Sequence, residues 1–227
     1  MSAIRENLLR VTERIEKAAR RAGRDPIEIK LVAVSKTVEA ARVKEAIEAG
    51  VSILGENYVQ EAQKKIEEIG GSVSWHFIGH LQSNKAKYAV SLFDMIHSLD
   101  SISLAEELNR RAEKEGRTMN AMIEVNLSGE ATKFGAEEAR AFDIARRVLN
   151  LSHLSLVGLM TMPPYFDDPR LSRPYYIRLR ELKEKMIKEG IPLRELSMGM
   201  SNDFEIAIEE GATFVRVGTA IFGAREK

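Results

Sequence analysis

Along the chain, apolar positions first recur at helical spacing and then gather into short runs separated by charged stretches. Ile4, Leu8, Val11, Ile15 and Ala18 step by fours and threes, which lines one face of a helix. Gly23 and Pro26 end it,. The apolar runs that follow are 31–35, 51–55, 73–79, 94–98, 119–126, 154–162, 194–198 and 213–218. Between them lie stretches of helical period. Val43, Ala46 and Ile47 share a face in 38–49; Leu104, Leu108 and Ala112 do so in 101–114; Ala141, Ile144, Ala145 and Val148 do so in 136–149. Several runs are apolar throughout, which suits a parallel sheet covered on both sides. Alternating strand and helix units predict an α/β fold, a single (β/α)8 TIM-type barrel with an extra N-terminal helix over 1–24 packed on it. An open doubly wound sheet is the alternative. The whole of 1–227 reads as one domain. Prolines crowd 162–174, and this segment reads as a loop after the sixth strand.

Composition narrows the function classes. Apolar residues make up 44% of the 227 positions, enough for a packed core. Lys plus Arg and Asp plus Glu both number 34, so charge argues for neither nucleic acid nor an acidic membrane surface. There is no cysteine, which excludes disulfides, thiolate metal sites and cysteine nucleophiles. The first residues lack the apolar core of a secretory signal, and no stretch reaches the roughly 18 apolar residues of a membrane span. The expected location is the cytoplasm.

In such a barrel reactive groups sit at the C-terminal ends of the strands. Lys36 follows the first strand in Val34-Ser35-Lys36-Thr37. Partial desolvation there favours the neutral amine that a Schiff base needs; otherwise Lys36 simply starts a loop in water. The loops after the seventh and eighth strands are the usual phosphate site of these barrels. Here they read Ser197-Met198-Gly199-Met200-Ser201-Asn202-Asp203 and Val217-Gly218-Thr219. Gly199 and Gly218 permit close approach, and Ser201 and Thr219 offer hydroxyls. Ser201-Asn202-Asp203 also suits an ordinary helix N-cap. Arg216 interrupts an apolar run and needs a partner if it points inward, such as Glu124. His76 and His80 are spaced as in helical zinc motifs, but the surrounding residues look like strand. Four strand residues span roughly 13 Å, too far to share a zinc held at about 2 Å, so no metal site is expected. His80 then belongs to the loop after the third strand. Arg20-Arg21 and Lys64-Lys65 read as solvated helix faces.

Several stretches together resemble one known family. They are Val34-Ser35-Lys36, Gly55-Glu56-Asn57-Tyr58-Val59-Gln60-Glu61, His76-Phe77-Ile78-Gly79-His80-Leu81-Gln82-Ser83-Asn84-Lys85, Gly158-Leu159-Met160-Thr161-Met162, Leu196-Ser197-Met198-Gly199-Met200-Ser201, and Val215-Arg216-Val217-Gly218-Thr219-Ala220-Ile221-Phe222-Gly223. In this order, across almost the whole chain, they resemble the pyridoxal phosphate homeostasis protein family, which shares its barrel with the N-terminal domain of alanine racemase. The resemblance implies pyridoxal 5'-phosphate (PLP) as cofactor and ligand, held as a Schiff base on Lys36. It implies that Ser201, Gly218 and Thr219 hold the phosphate, that Arg216 faces the pyridine nitrogen, and that Asn57 sits beside the ring. Ser197 would line the phosphate side, with His80 and Met160 as further wall candidates.

The resemblance implies a protein of intracellular vitamin B6 homeostasis that supplies or buffers PLP, with PLP-dependent apo-enzymes as recipients. No catalytic residue is assigned. The alternative is a PLP-dependent amino-acid racemase of low activity, and a Schiff-base aldolase without cofactor is a third reading. Racemisation needs a base on each face of the substrate. In alanine racemase the second base comes from a further domain, which the chain ending at Lys227 is expected to lack. A monomer or weak dimer is expected, binding neither nucleic acid nor membrane.

Overall fold

A computed structural model describes residues 2–130 and 134–224. Met1, part of the 1–24 helix reading, and 225–227, part of the 1–227 domain reading, lie outside the described residues, as do 131–133.

Eight parallel strands close a barrel in chain order. They are β1 (Lys30–Val34), β2 (Ile53–Glu56), β3 (Ser74–Phe77), β4 (Met95–Leu99), β5 (Met119–Glu124), β6 (Leu154–Met160), β7 (Glu195–Ser197) and β8 (Phe214–Val217). Each falls within or overlaps a predicted apolar run. Closure is made by β1 against β8, with Lys30 opposite Phe214 and Val32 opposite Arg216. That pairing rules out the open sheet.

The barrel wall is wrapped by α2 (Ala40–Glu48), α3 (Val59–Ile69), α4 (Ala86–Leu92), α5 (Ile102–Lys114), α6 (Glu138–Val148), α7 (Arg173–Lys188), α8 (Phe204–Glu209) and the short α9 (Thr219–Phe222). Before them comes α1 (Ala3–Arg21), which begins with Arg5 N–H donating to Ser2 at its N-cap. Its predicted apolar stripe is buried, and it packs on α8 and α9. Asn7 Nδ2 donates to the Ile221 carbonyl at 2.9 Å, and Arg14 makes a two-point contact with Glu205 at 2.7 and 3.0 Å.

The spacing analysis does not single out α3, α4 or α7. The proline-rich stretch is not loop throughout: Pro169–Ser172 form a 3-10 turn and α7 begins at Arg173. Pro174 sits in the first turn of α7, where its missing N–H would have had no partner anyway.

Strand alternation divides the buried residues into two sets. One packs between sheet and helices. The other fills the barrel itself, with Val32, Met122, Val157, Met160 and Phe214 in contact. Among the described residues no helix is long and apolar enough to cross a membrane.

Packing between β6 and β7 leaves no room for a side chain at Gly158, which pairs with Glu195. A Cβ there would stand 2.2 Å from the Glu195 carbonyl oxygen. Gly158→Ala should therefore cost about 1–3 kcal/mol, as forced overpacking does, and lower the melting temperature by about 2–4 °C per kcal/mol. A melt unchanged from wild type would refute this strand register.

Candidate functional site

A cavity of about 520 Å³ opens at the C-terminal ends of the strands. Lys36, Asn57, Ser201, Arg216, Gly218 and Thr219 line it. The other predicted residues lie elsewhere. Met160 is in the barrel's inner core, 1% exposed. Ser197 is fully buried beneath the cavity, bonded to Arg216. His80 lines an adjoining cavity of about 440 Å³, stacks on Phe134 with ring centroids 3.9 Å apart, and lies 3.4 Å from Asp100. Asn57, Ile78 and Met162 belong to both cavity walls.

Lys36 stands half-buried in the turn after β1. Ser35, just before it, is fully buried. Thr37, just after it, has φ +63°, a left-handed conformation that β-branched residues rarely adopt.

Arg216 anchors the floor. It shares β8's inward face with Phe214, two residues earlier. Arg216 Nη1 donates to Ser197 Oγ at 2.6 Å and Nη2 to the Thr161 carbonyl at 2.9 Å. A guanidinium only donates, so Ser197 accepts from it. Ser197 Oγ is also hydrogen-bonded to His97 Nδ1 at 2.9 Å. His97 Nε2 in turn meets His76 Nδ1 at 3.0 Å, with the imidazole tautomers setting which atom donates. Burial keeps both imidazoles neutral. It pushes His76 down to about 4, and it holds His97 well below the ordinary histidine range, helped by repulsion between the two rings' charged forms and by the charge of Arg216. Burial also lowers the Arg216 pKa.

The expected ion pair of Arg216 with Glu124 is absent among the described residues; two of the guanidinium's five N–H groups go to Ser197 and the Thr161 carbonyl instead. Glu124 is nevertheless buried nearby. Desolvation raises its carboxyl to about 7, against the pull of Arg216 and with a push from Asp100.

The opposite wall carries hydroxyls and amides. Ser201 Oγ accepts from the Gly218 N–H at 3.2 Å and the Ala220 N–H at 3.4 Å. Asp203 occupies the N-cap position of α8 without capping it. Its carboxylate accepts from the Met200 N–H at 2.7 Å and from Ser172 Oγ at 2.9 Å, tying the turn together. Gly199 is required for that turn: φ is +90°, and a Cβ would meet Ala207 at 2.5 Å. At Gly218 a Cβ would stand 3.4 Å from Val34, an ordinary contact, so backbone packing alone does not demand glycine there.

Met162, Tyr165, Phe166 and Asn202 also line the cavity and were not singled out from the sequence. The one available signal was an aromatic pair inside a proline-rich loop after the sixth strand. His76 and His80 serve different surroundings, the barrel interior and its mouth. Lys65 departs from the solvated-face reading. It is only 7% exposed and pairs with Glu56 at 2.8 Å and Glu61 at 2.6 Å. Arg20, Arg21 and Lys64 are exposed.

The alanine racemase N-terminal domain family matches residues 3–226. The pyridoxal phosphate homeostasis protein of Aquifex aeolicus (strain VF5) is 47% identical, over 97% of this chain and 98% of its own. This chain belongs to the pyridoxal phosphate homeostasis protein family. The family member from Pseudomonas aeruginosa is 44% identical, covering 100% of this chain and 97% of its own. Among solved structures, PipY of Synechococcus elongatus PCC7942, determined with PLP bound, is similar at a TM-score of 0.83 and 37% identity, over 92% of this chain and 100% of PipY. Alanine racemase of Clostridium difficile 630 has a TM-score of 0.74 at 17% identity, over 100% of this chain and 58% of the racemase. That likeness concerns the fold.

Glu124 gives this family member a pH signature. Its carboxyl rises from 4.5 to about 7 on folding. The stability linked to its proton is therefore present below about 4.5 and lost as pH rises through about 7. Glu124→Gln removes that dependence. Relative to wild type, the variant should gain stability between about pH 5 and pH 8, read from urea midpoints. A difference that stays constant with pH would mean Glu124 titrates as an exposed carboxylate.

Proposed function

We propose that this chain binds PLP covalently through Lys36 and acts as a reserve that buffers the cofactor and passes it to apo-enzymes. The observation that carries the reading is the convergence on one cavity of a lysine, a fixed guanidinium, and a wall of hydroxyls and backbone amides. The cavity volume lies within the range of small-molecule sites. Asn57 lines the cavity, and among the described residues its buried Oδ1 has no hydrogen-bond partner, so the side chain has an acceptor still to satisfy. The PLP-bound PipY relative supports the same ligand for this chain.

Bound PLP supplies an aldehyde that condenses with a primary amine and a ring that can withdraw electrons. On this reading Lys36 supplies the amine, and Ser201, Gly218 and Thr219 hold the phosphate, the two hydroxyls as donors. Asn57 flanks the ring, and Arg216 meets its nitrogen. Ser197 and His97 keep Arg216 in place. Arg216 cannot surrender a proton at ordinary pH, so it leaves the pyridine nitrogen unprotonated and weakens the ring as an electron sink. That favours holding the cofactor over fast carbanion chemistry. Met160 contributes from below as packing, and His80 from the adjoining cavity. The chain works on this reading as one domain in the cytoplasm, beside the apo-enzymes it would serve.

Two measurements test the proposal. Lys36→Ala should fold but lose the visible absorbance of the PLP-loaded protein, and borohydride reduction with peptide mapping should mark Lys36. A mark on another lysine, with Lys36 clean, would overturn the assignment.

The loaded protein should also deliver PLP to an apo-enzyme while racemising or transaminating amino acids far below the ordinary enzyme range of about 1–10³ s⁻¹. Chirality and keto-acid formation from L- and D-alanine and serine report this. Turnover of several per second would restore the racemase reading.

A further inference from the structure

We propose that Lys65, together with Glu56 and Glu61, forms a buried clamp that sets the position of Lys36, so that Lys65 is a positioning residue for cofactor capture. The inference rests on the reading of Lys36 as the cofactor-bearing lysine.

Lys65 lies on α3, with its ammonium turned toward the β1–β2 corner. Its Nζ donates to the Ser35 carbonyl at 2.5 Å, to Glu56 Oε1 at 2.8 Å and to Glu61 Oε1 at 2.6 Å. An ammonium has three donors, and all are used. Glu56, at the end of β2, is fully buried and also accepts from Ser35 Oγ at 2.7 Å. Glu61, in the first turn of α3, also accepts from the Thr37 N–H at 2.5 Å.

The carbonyl just before Lys36 and the amide just after it therefore end on the same ion cluster. Lys36 is bracketed from both sides, while its own side chain lines the cavity. The cluster also explains how Thr37 keeps φ at +63°. A strained conformation persists only where its surroundings over-determine it, and here the Thr37 N–H is tied to a carboxylate held by Lys65. Without those ties Thr37 would relax toward an extended conformation, and the Lys36 peptide would turn with it.

Stability alone is a poor reason for such a cluster. A buried ion pair often does no better than apolar residues of equal volume. Among the described residues Glu56 Oε2 is also left buried without a partner, and burial raises the Glu56 pKa against the pull of Lys65. A device that costs desolvation and strain beside a reactive lysine fits a requirement for exact placement of that lysine.

The test separates placement from folding and from ligand binding. PLP is mixed with the PLP-free full-length protein, and capture is followed by visible absorbance in stopped flow. Pyridoxine 5'-phosphate, which carries an alcohol in place of the aldehyde, probes non-covalent filling of the cavity by calorimetry. Lys65→Met should slow capture by roughly tenfold or more, since misplacing a reacting group by about 1 Å can cost on the order of 100-fold. Its affinity for pyridoxine 5'-phosphate should stay within about twofold of wild type on the same argument, and Lys65→Arg should recover part of the rate. Capture at the wild-type rate would overturn the proposal. So would equal losses of capture and pyridoxine 5'-phosphate affinity, which would mark a merely structural ion pair. If Lys65→Met does not fold, Glu61→Ala serves instead: it removes the acceptor of Thr37 from a partly exposed position and leaves Lys65 paired with Glu56. It should slow capture in the same selective way, and wild-type capture would again overturn the clamp. Failure of the underlying reading looks different, because borohydride would then mark a lysine other than Lys36 in the wild-type protein.

Discussion

A guanidinium held inside the barrel constrains the polar chemistry around it. Arg216 is 4% exposed and stays charged, so its donors need acceptors within the fold. Ser197 and the Thr161 carbonyl supply them. Ser197 Oγ is in turn hydrogen-bonded to His97 Nδ1, and His97 Nε2 to His76 Nδ1. The strands β8, β7, β4 and β3 are joined across the interior by one chain of hydrogen bonds. Both imidazoles remain neutral because burial disfavours their charged forms, and at His97 the charge of Arg216 adds to that,. The result is a fixed positive charge beneath the cavity, resting on groups that cannot move independently.

The cavity's lysine is set in a contrasting way. Lys65 and Lys36 are the same residue type at adjacent elements, yet their surroundings assign them opposite work. Lys65 spends every donor on Ser35, Glu56 and Glu61 and is withdrawn from chemistry. Lys36 projects from a turn whose two flanking peptide groups are held by that network, and it lines the cavity. Strand ends thus carry most of the groups that a ligand would meet, while the loop after β6 adds Tyr165 and Phe166 to the cavity wall.

The barrel shared with alanine racemase does not by itself carry the racemase's chemistry, because function resides in the site rather than the fold. On the function proposed above, what would distinguish a holder from a catalyst is how the site treats charge: a guanidinium that cannot give up a proton would leave the ring a weaker electron sink and the cofactor available for transfer.

Much of this architecture was legible before any coordinates. Strands announce themselves locally, through β-branched and apolar runs, so all the barrel strands and the α1 stripe could be read from spacing. Strand ends are local features too, and in a barrel they all open on one face. That is why Lys36, Ser201, Arg216, Gly218 and Thr219 could be nominated from position, with Asn57 added by the family resemblance, and all of them now line one cavity. Partnerships across the barrel were not legible. The stretch Gln60–Lys65 looks charged and surface-bound in sequence, yet helix spacing cannot say which strand end lies behind one of its lysines. Nor could it say that Ser197 and His97, a hundred residues apart, would meet under Arg216. Sequence alone determined the strands, α1 and the mouth the strands share, because propensity and period act over a few residues. Tertiary structure decided which polar groups are buried together, because only closure of β1 on β8 brings distant strands within hydrogen-bond reach.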